Sequence, residues 1–375
     1  MHHLRPDGKR HSRWLLIGIV TSFTLAQGVS AQQLNSNGSP SLDPAIQSYT
    51  QTQNLEGRFT IAGSNTMYPL MTRLAAEFKR RYPGVQIGIE GRGSKSLHGE
   101  DASGSGPFWR MIQNKSVYRR GDGSDDGHHV SMQVHILASS TKLTPQEIRT
   151  FVSRYGYEPL EMPIALEAVA VYVHRDNPLP GLTLEQLDAI FSETRRRGLS
   201  SEIKTWGQLG LQDGWQEAPL RLYGRDQKSG TRAFIREQVL LAGEFRPTVK
   251  EVPGSAMLIL EVARDQYGIG YSSIGYQTSL VRPLPLAPKA GMPFVAPSAE
   301  SAMDASYPLT RSLYLYINKS PTDNMSSVIT EFHKFINSRE GQDAVVRAGA
   351  YPLSASQVEM NLNALRTSPI SATIR

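Results

Sequence analysis

The chain has 375 residues, of which 39% are hydrophobic and 20% charged, and its formal net charge is +6. This length suffices for about two globular domains with cores of their own. Charges of both signs are mixed along the sequence and form no polybasic tail, which argues against nucleic acid as a partner. The sequence contains no cysteine, which excludes disulfides, thiolate metal sites, thiol nucleophiles and a lipid-modified amino-terminal cysteine.

Residues 1–31 have the pattern of a secretory signal peptide. Basic residues between positions 5 and 13 precede the apolar stretch "WLLIGIVTSFTLA", and small residues precede a cleavage site after Ala31. An amino-terminal membrane anchor is the less favoured alternative, because the apolar stretch falls short of the roughly 20 residues that span a bilayer. We therefore expect export and a soluble periplasmic or secreted protein that begins near Gln32.

The remaining elements follow one another as alternating strands and helices. Residues 32–56 are rich in glutamine, asparagine and serine and predict a flexible polar leader. Strands are predicted at "FTIAG", "VQIGIE", "SMQVHILASS", "MPIALEAVAVYVH", "PLRLYGR", "VKEVPG", "YGIGYSSIGY" and "RSLYLYIN". Helices are predicted from Met67 to Phe78, at "TPQEIRTFVSRYG" and "TLEQLDAIF", from Thr231, and at "SAMLILEVARD", "SVITEFHKFIN" and "REGQDAVVRAG". This alternation predicts the α/β class, with parallel sheets covered by helices.

Residues 97–130 interrupt the alternation. They are dominated by glycine, serine and charged residues and predict a long surface loop. Asp125, Asp126, His128 and His129 are metal-ligating residue types, but adjacent pairs lack the spacing of known metal sites. A contact surface for a partner is another interpretation of this loop. We expect no metal and no cofactor.

Three of the predicted turns combine hydroxyl side chains with glycine. The residues concerned are Ser64, Asn65 and Thr66 in the first turn, Ser94 in the second, and Arg225, Ser229, Gly230 and Thr231 in the third. Each turn alone is typical of an ordinary helix cap. Helix starts, however, present unpaired N–H groups and about half a positive charge, and a guanidinium can grip an oxyanion with two hydrogen bonds. Because such turns meet at the carboxyl edge of a parallel sheet, the three together favour a site for a small oxyanion.

The sequence also resembles the periplasmic phosphate-binding proteins that feed bacterial ABC importers. The resemblance rests, in order, on "GSNTMYPL", "GRGS", "MPIALEAVAVYVHRDNP", "YGRDQKSGTRAFIREQVL", "GIGYSSIGY", "YPLTRSLYLYIN" and "GQDAVVRAGAYPL". It implies a type II periplasmic binding protein fold, in which two strands near "VYVHRDNP" and "YPLTRSLYLY" join two α/β lobes. Lobe one would comprise residues 57–174 and 308–375, and lobe two residues 175–307.

The resemblance further implies a function and a set of ligand contacts. The protein would be a monomer that captures phosphate or a similar tetrahedral oxyanion and delivers it to an inner-membrane ABC permease. The implied anion contacts are Thr66, the main chain of Met67, Ser94, Arg225, Ser229, Gly230 and Thr231.

One position departs from the family pattern. The family has an aspartate after the third strand, which accepts a hydrogen bond from a protonated oxyanion and thereby disfavours sulfate. Here the matching position is Ser140, beside Ser139. A serine hydroxyl donates as well as accepts, so the sequence does not specify which oxyanion is bound. Asn65 and Asp226 are candidate substitute acceptors.

Two other functional classes compete with a transport role. One is an enzyme, such as an exported phosphoester hydrolase, although the sequence places no nucleophile beside a base or metal for it. The stretch "SSTK", Ser139 to Lys142, has the S-x-x-K spacing of penicillin-interacting serine enzymes, but no "KTG" accompanies it. The P-loop pattern also fails, because Gly230 follows the lysine rather than preceding it. A non-transport scaffold or adhesion protein on the same fold is the other alternative. We predict a binding protein that is not an enzyme.

Overall fold

A nine-stranded sheet organises the part of the chain that the structure describes. The computed structural model describes residues 40–52, 54–91, 108, 111–112, 117–119, 129–131, 133–322 and 325–366. The predicted site residue Ser94 and most of the predicted loop 97–130, including Asp125, Asp126 and His128, lie outside these residues.

The predicted strands are present, except that "SMQVHILASS" is divided between two separate strands. Short strands are added, two of which lie in or overlap the predicted surface loop 97–130 and correct that prediction there. The strands are β1 (Gly57–Gly63), β2 (Val85–Gly91), β3 (Val117–Arg119), β4 (His129–Ser131), β5 (Ile136–Ser139), β6 (Leu160–His174), β7 (Leu182–Thr183), β8 (Arg221–Arg225), β9 (Lys250–Val252), β10 (Gly268–Ser273), β11 (Val281–Pro283), β12 (Leu286–Ala287) and β13 (Thr310–Ile317). The large sheet has the order β2-β1-β5-β13-β6-β10-β8-β9, with β11 also paired to β6. Two short ladders, β3 with β4 and β7 with β12, lie apart from it.

The helices cover this sheet. They are α1 (Tyr68–Arg81), α2 (Pro145–Tyr155), α3 (Leu184–Phe191), α4 (Gly230–Gln238), α5 (Ser255–Arg264), α6 (Ala299–Met303), α7 (Ser327–Ile336), α8 (Arg339–Arg347) and α9 (Ala355–Arg366). All the predicted helices are present, whereas α6 and α9 were not predicted. Helix α2 begins with a capping box, in which Thr144 Oγ1 accepts from the main-chain N–H of Glu147 and the Glu147 carboxylate accepts from Thr144 N–H.

Strand β6 changes partner in the middle of the sheet. It pairs antiparallel with β13 up to Ala168 and with β10 from Val169 onward. The chain thereby passes from a group containing β1, β2 and β5 to a group containing β8, β9 and β10. This change lies a few residues before the segment in which the first crossing was predicted. The second predicted crossing segment contains the start of β13 at Thr310.

Each group of strands has an apolar core of its own. In the first, Phe59, Phe78 and Phe332 are buried, and both Phe59 and Phe78 place their ring centroids 5.2 Å from that of Phe332. In the second, Phe191 and Trp206 are buried in a separate cluster. Burial of each such side chain contributes roughly 1.5–3 kcal/mol. Two separate cores support the prediction of two lobes. The exact boundaries of the lobes stay a prediction.

Part of the predicted flexible leader is docked rather than free. Within residues 40–52, Ile46 is 3% exposed and packs in one cluster with Val358 of α9. The main-chain N–H of Tyr49 donates to a carboxylate oxygen of Glu340 in α8 at 2.7 Å. The prediction of a flexible leader is therefore corrected for this stretch, because Ile46 has apolar partners that include Val358 of α9 and the main chain of Tyr49 is hydrogen-bonded to α8.

A helix that crosses a bilayer needs about 20 mostly apolar residues. Within the described ranges, no helix combines that length with that hydropathy.

Candidate functional site

The first predicted turn joins β1 to α1 and lies against the end of β5. Gly63 has a φ of 144°, and a Cβ atom at this position would lie 2.0 Å from the carbonyl oxygen of Ala138. The next residue, Ser64, donates its main-chain N–H to that same oxygen at 2.8 Å. Glycine is required here because no larger residue allows this approach. The contact holds the hydroxyl residues of the first turn beside the residues that follow β5.

Those residues include Ser140, which matches the family's aspartate position in the sequence, and its neighbour Ser139. The Ser64 hydroxyl donates to Ser140 Oγ at 3.1 Å, and both side chains are buried. The Ser139 hydroxyl instead donates to the carbonyl oxygen of Thr141 at 2.7 Å. Ser140 therefore accepts from Ser64 and keeps its own proton for another acceptor. Of the two serines, Ser140 is the one that joins the first turn.

The third predicted turn joins β8 to α4. Ser229 caps α4, since its Oγ accepts from the main-chain N–H of Arg232 at 3.3 Å. Gly230 and Thr231 form the first residues of the helix, and Ser229, Gly230 and Thr231 are all buried. Asp226, a candidate acceptor, uses Oδ1 to bind the main-chain N–H of Lys228 at 3.0 Å. The turn is thus built as a helix cap, with its hydroxyls buried inside the protein.

The first and third turns meet through their side chains. Thr66 Oγ1 lies 3.1 Å from Thr231 Oγ1. The Tyr276 hydroxyl donates to the carbonyl oxygen of Asn65 at 3.2 Å. The N–H of Met67, the predicted main-chain contact, donates to the carbonyl oxygen of Ser64 at 3.2 Å. The structure thus brings together two of the three predicted turns, while Ser94 of the second lies outside the described residues.

Arg225 is a buried cation at the end of β8. It is 1% exposed, and its Nη1 donates to Ser255 Oγ at 2.7 Å. Its Nε is buried without a hydrogen-bond partner, and no carboxylate in the described part of the chain forms an ion pair with it. Burial lowers the pKa of the guanidinium. A buried cation without a counterion is costly, and an anion bound beside it would offset that cost.

A second buried guanidinium lies next to the third turn. Arg311 of β13 pairs in register with Glu167 of β6, and these residues are 7% and 2% exposed. Arg311 Nε donates to Glu167 Oε1 at 2.7 Å, and Nη2 donates to the same oxygen. Nη2 also donates to Thr231 Oγ1 at 2.9 Å. The ion pair between the two long strands therefore lies in direct contact with the Thr231 hydroxyl of the site.

Together these groups form a site made mainly of hydrogen-bond donors. Guanidinium and hydroxyl groups directed into a buried region stabilise a negatively charged oxyanion by charge-assisted hydrogen bonds. A cavity of about 410 Å³ lies away from the predicted turns and is lined by residues that include His135, Tyr157 and Ile329. The chemistry of the predicted turns, rather than cavity volume, identifies the candidate site.

Comparison with known proteins assigns the chain to a family. The sequence profile of the PBP superfamily domain matches residues 26–340. The phosphate-binding protein PstS of Pseudomonas aeruginosa is 37% identical over 324 residues, which cover 86% of this chain and 92% of that protein. The chain belongs to this family of phosphate-binding proteins. Protein SphX of Synechococcus elongatus is a more distant relative, 24% identical over 69% of this chain and 68% of its own length.

Solved structures show the same fold. A putative phosphate ABC transporter substrate-binding protein from Clostridium perfringens, solved with bound phosphate, superposes with a TM-score of 0.60 at 23% identity, covering 80% of this chain and all of that chain. An ABC-type phosphate transport receptor from Vibrio cholerae gives a TM-score of 0.56 at 19% identity, covering 79% of this chain and all of that chain. The type II periplasmic binding protein fold predicted from the sequence is thereby confirmed.

Three site residues were missed by the sequence prediction, although each carries a signal. Ser255 follows Gly254 at the start of α5, which is another strand-to-helix turn with a hydroxyl residue. Glu167 and Arg311 are charged residues within largely apolar strands, of which β6 also contains Glu161. Opposite charges in two buried strands indicate an ion pair once the strands are known to be neighbours.

Proposed function

We propose that this protein captures phosphate, or a similar tetrahedral oxyanion, and delivers it to an inner-membrane ABC permease. The observation that carries the proposal is Arg225, a fully buried guanidinium that forms no ion pair with any carboxylate among the described residues. It ends the strand whose following turn meets the first turn through Thr231 and Thr66. Membership of the phosphate-binding family supports the same conclusion.

The proposed anion contacts come from both groups of strands. From the first group come Ser64, Asn65, Thr66, the main chain of Met67, Ser94, Ser139 and Ser140, and from the second come Arg225, Ser229, Gly230 and Thr231. Within this set, Ser139 is the weakest candidate because its hydroxyl already donates to a main-chain carbonyl. Ser140 is stronger because it retains a proton to donate.

The donor-rich site favours negative charge more than it selects a protonation state. Hydrogen bonds from Arg225 and from serine and threonine hydroxyls stabilise any tetrahedral oxyanion. A hydroxyl can also rotate to accept a hydrogen bond from a protonated ligand, whereas an ionised carboxylate can only accept. With Ser140 at the family's aspartate position, the site distinguishes phosphate from sulfate less sharply than a carboxylate would.

Ligand binding is proposed to close two lobes. Residues 57–174 with 308–375 would form one lobe and residues 175–307 the other, joined where β6 changes partner. Because Thr66 belongs to the first lobe and Thr231 to the second, an anion held by both stabilises the closed arrangement. The protein would act as a monomer in the periplasm after export.

Binding without turnover is the proposed outcome. The S-x-x-K motif does not form a serine–lysine pair, because the Lys142 ammonium is 3.2 Å from a carboxylate oxygen of Glu161 and Ser139 donates to a carbonyl. The hydrogen bond that Lys142 donates to the Glu161 carboxylate raises the pKa of Lys142, so this lysine remains protonated and cannot act as a base.

Calorimetry of the protein that begins at Gln32, after removal of co-purified anion, tests the proposal. Phosphate, sulfate, arsenate and molybdate are titrated separately, and hydrolysis of a phosphoester is assayed in parallel. One-to-one binding of phosphate at micromolar or lower concentration without hydrolysis is expected. Turnover of the ester would support the hydrolase alternative, and absence of both binding and turnover would support a scaffold role.

A further inference from the structure

The ion pair of Arg311 and Glu167 has a geometry that a purely structural link does not require. A guanidinium has two edges with parallel pairs of donors, a side edge formed by Nε and Nη2 and an end edge formed by Nη1 and Nη2. Glu167 Oε1 occupies the side edge of Arg311. The second N–H of Nη2 donates to Thr231 Oγ1 at 2.9 Å, so the end edge of the guanidinium faces the third turn.

The remaining nitrogen on the end edge is Nη1 of Arg311. Because the guanidinium is planar, one N–H of Nη1 is parallel to the N–H that Nη2 directs at Thr231. This nitrogen is buried and has no hydrogen-bond partner among the residues that the structure describes. A buried donor without a partner costs about 1–3 kcal/mol, more when it is charged. Its direction and its missing partner both point to a ligand beside Thr231.

We infer that Arg311 is a second guanidinium ligand of the bound anion, donating through Nη1, while Glu167 fixes the orientation of its planar group. This inference rests on the proposed function and deepens it. Arg225 and Arg311 would then contact the anion from β8 and from β13. The anion would be held by one guanidinium that lacks a carboxylate partner and by one that has Glu167.

The charges of these groups are consistent with that arrangement. Arg311 and Glu167 together are neutral. Burial lowers the pKa of Arg225, the Asp226 carboxylate counteracts part of this shift, and the positive charge of Arg311 adds a smaller lowering. A bound anion would offset the repulsion between the two cations.

The competing explanation is that the pair only links β6 to β13. The two explanations differ in what Arg311→Lys should do. Lysine keeps a cation that can pair with Glu167 but lacks the end edge that carries Nη1. If Arg311 is a ligand, this variant loses a contact with the anion, whereas if the pair is only a structural link, it keeps wild-type affinity.

Calorimetry with inorganic phosphate on four proteins separates these explanations. They are the wild type, Arg311→Lys, the double variant Glu167→Gln with Arg311→Gln, and the control Arg246→Lys, which changes another buried arginine whose guanidinium contacts Glu202 and the carbonyl oxygen of Ile203. We expect Arg311→Lys and the double variant each to bind phosphate at least tenfold more weakly than the wild type. Arg246→Lys should keep wild-type affinity within about threefold.

Wild-type affinity in Arg311→Lys or in the double variant would overturn the inference while leaving the proposed function intact. A wild-type protein that binds none of the anions would overturn the proposed function and the inference together. If the double variant fails to fold, Arg311→Lys alone decides, because it keeps a cation beside Glu167. An affinity loss of at least tenfold in Arg311→Lys supports the inference, and no loss overturns it.

Discussion

The side-chain oxygens of Thr66 and Thr231 lie 3.1 Å apart, although 165 positions separate these residues in the chain. Arg311 donates to Thr231 Oγ1, and because a guanidinium cannot accept, the threonine is the acceptor in that bond. The one proton of Thr231 is therefore directed to a different partner, either Thr66 or an anion bound between them. This contact joins the two groups of strands at the place where a ligand would bridge them.

We predict that Thr66→Val weakens phosphate binding by about 10- to 100-fold, the range expected for one lost hydrogen bond to a charged group. Valine keeps the shape of threonine and removes the hydroxyl. Thr72→Val is the matched control, because its hydroxyl lies within α1, is exposed and donates to the carbonyl oxygen of Tyr68. Calorimetry of both variants measures the effect, and equal affinity in Thr66→Val and the wild type would remove Thr66 from the site.

We predict that Arg225→Met lowers phosphate affinity at least tenfold without lowering the stability of the ligand-free protein. The guanidinium is buried without a carboxylate partner among the described residues, so its replacement by an apolar side chain removes a desolvation cost. Calorimetry measures affinity, and denaturant unfolding measures the free energy of unfolding. Arg221→Met on the same strand, whose side chain is 57% exposed, is the control for binding. A variant that loses stability and keeps its affinity would indicate that Arg225 is structural.

The site illustrates which features a single sequence can predict. Ser64, Thr66 and Thr231 were found because each lies where an apolar strand run ends and helical spacing begins, which is a local signal. The pairing of Arg311 with Glu167 depends on the register between β13 and β6 and so on contacts between distant parts of the chain. Local periodicity does not encode that register, and for this reason the second guanidinium was missed.

The same limit explains the correction to the leader. Composition predicts that a polar segment cannot form a core of its own. It does not predict that one apolar side chain, Ile46, will occupy a cluster completed by Leu353 and Val358. Helix α9, which supplies Val358, was also missed, because its apolar residues are sparse along the sequence.

We predict that Ser140→Asp increases the preference for phosphate over sulfate by about tenfold or more. Aspartate would accept from Ser64, as Ser140 does now, and would accept a second hydrogen bond from a protonated phosphate. Sulfate has no proton to donate at neutral pH and would face an unscreened negative charge. Competition calorimetry gives the ratio of affinities, with Ser140→Asn as the uncharged control of the same size. An unchanged ratio in the aspartate variant would show that position 140 does not contact the ligand.

We predict that a buried histidine makes the protein less stable in mild acid. His333 is fully buried in α7, its Nδ1 lies 2.8 Å from the carbonyl oxygen of Ile329, and burial lowers its pKa from 6.5 to about 4. Between these values the unfolded chain takes up a proton that the folded chain does not, so the free energy of unfolding decreases as pH falls from about 6.5 to about 4. The full loss amounts to about 3 kcal/mol.

Denaturant unfolding of the wild type and of His333→Gln across this range measures the effect. Glutamine cannot titrate, so its unfolding free energy should fall less steeply with acid, and identical pH dependence in the two proteins would assign the acid sensitivity to other groups.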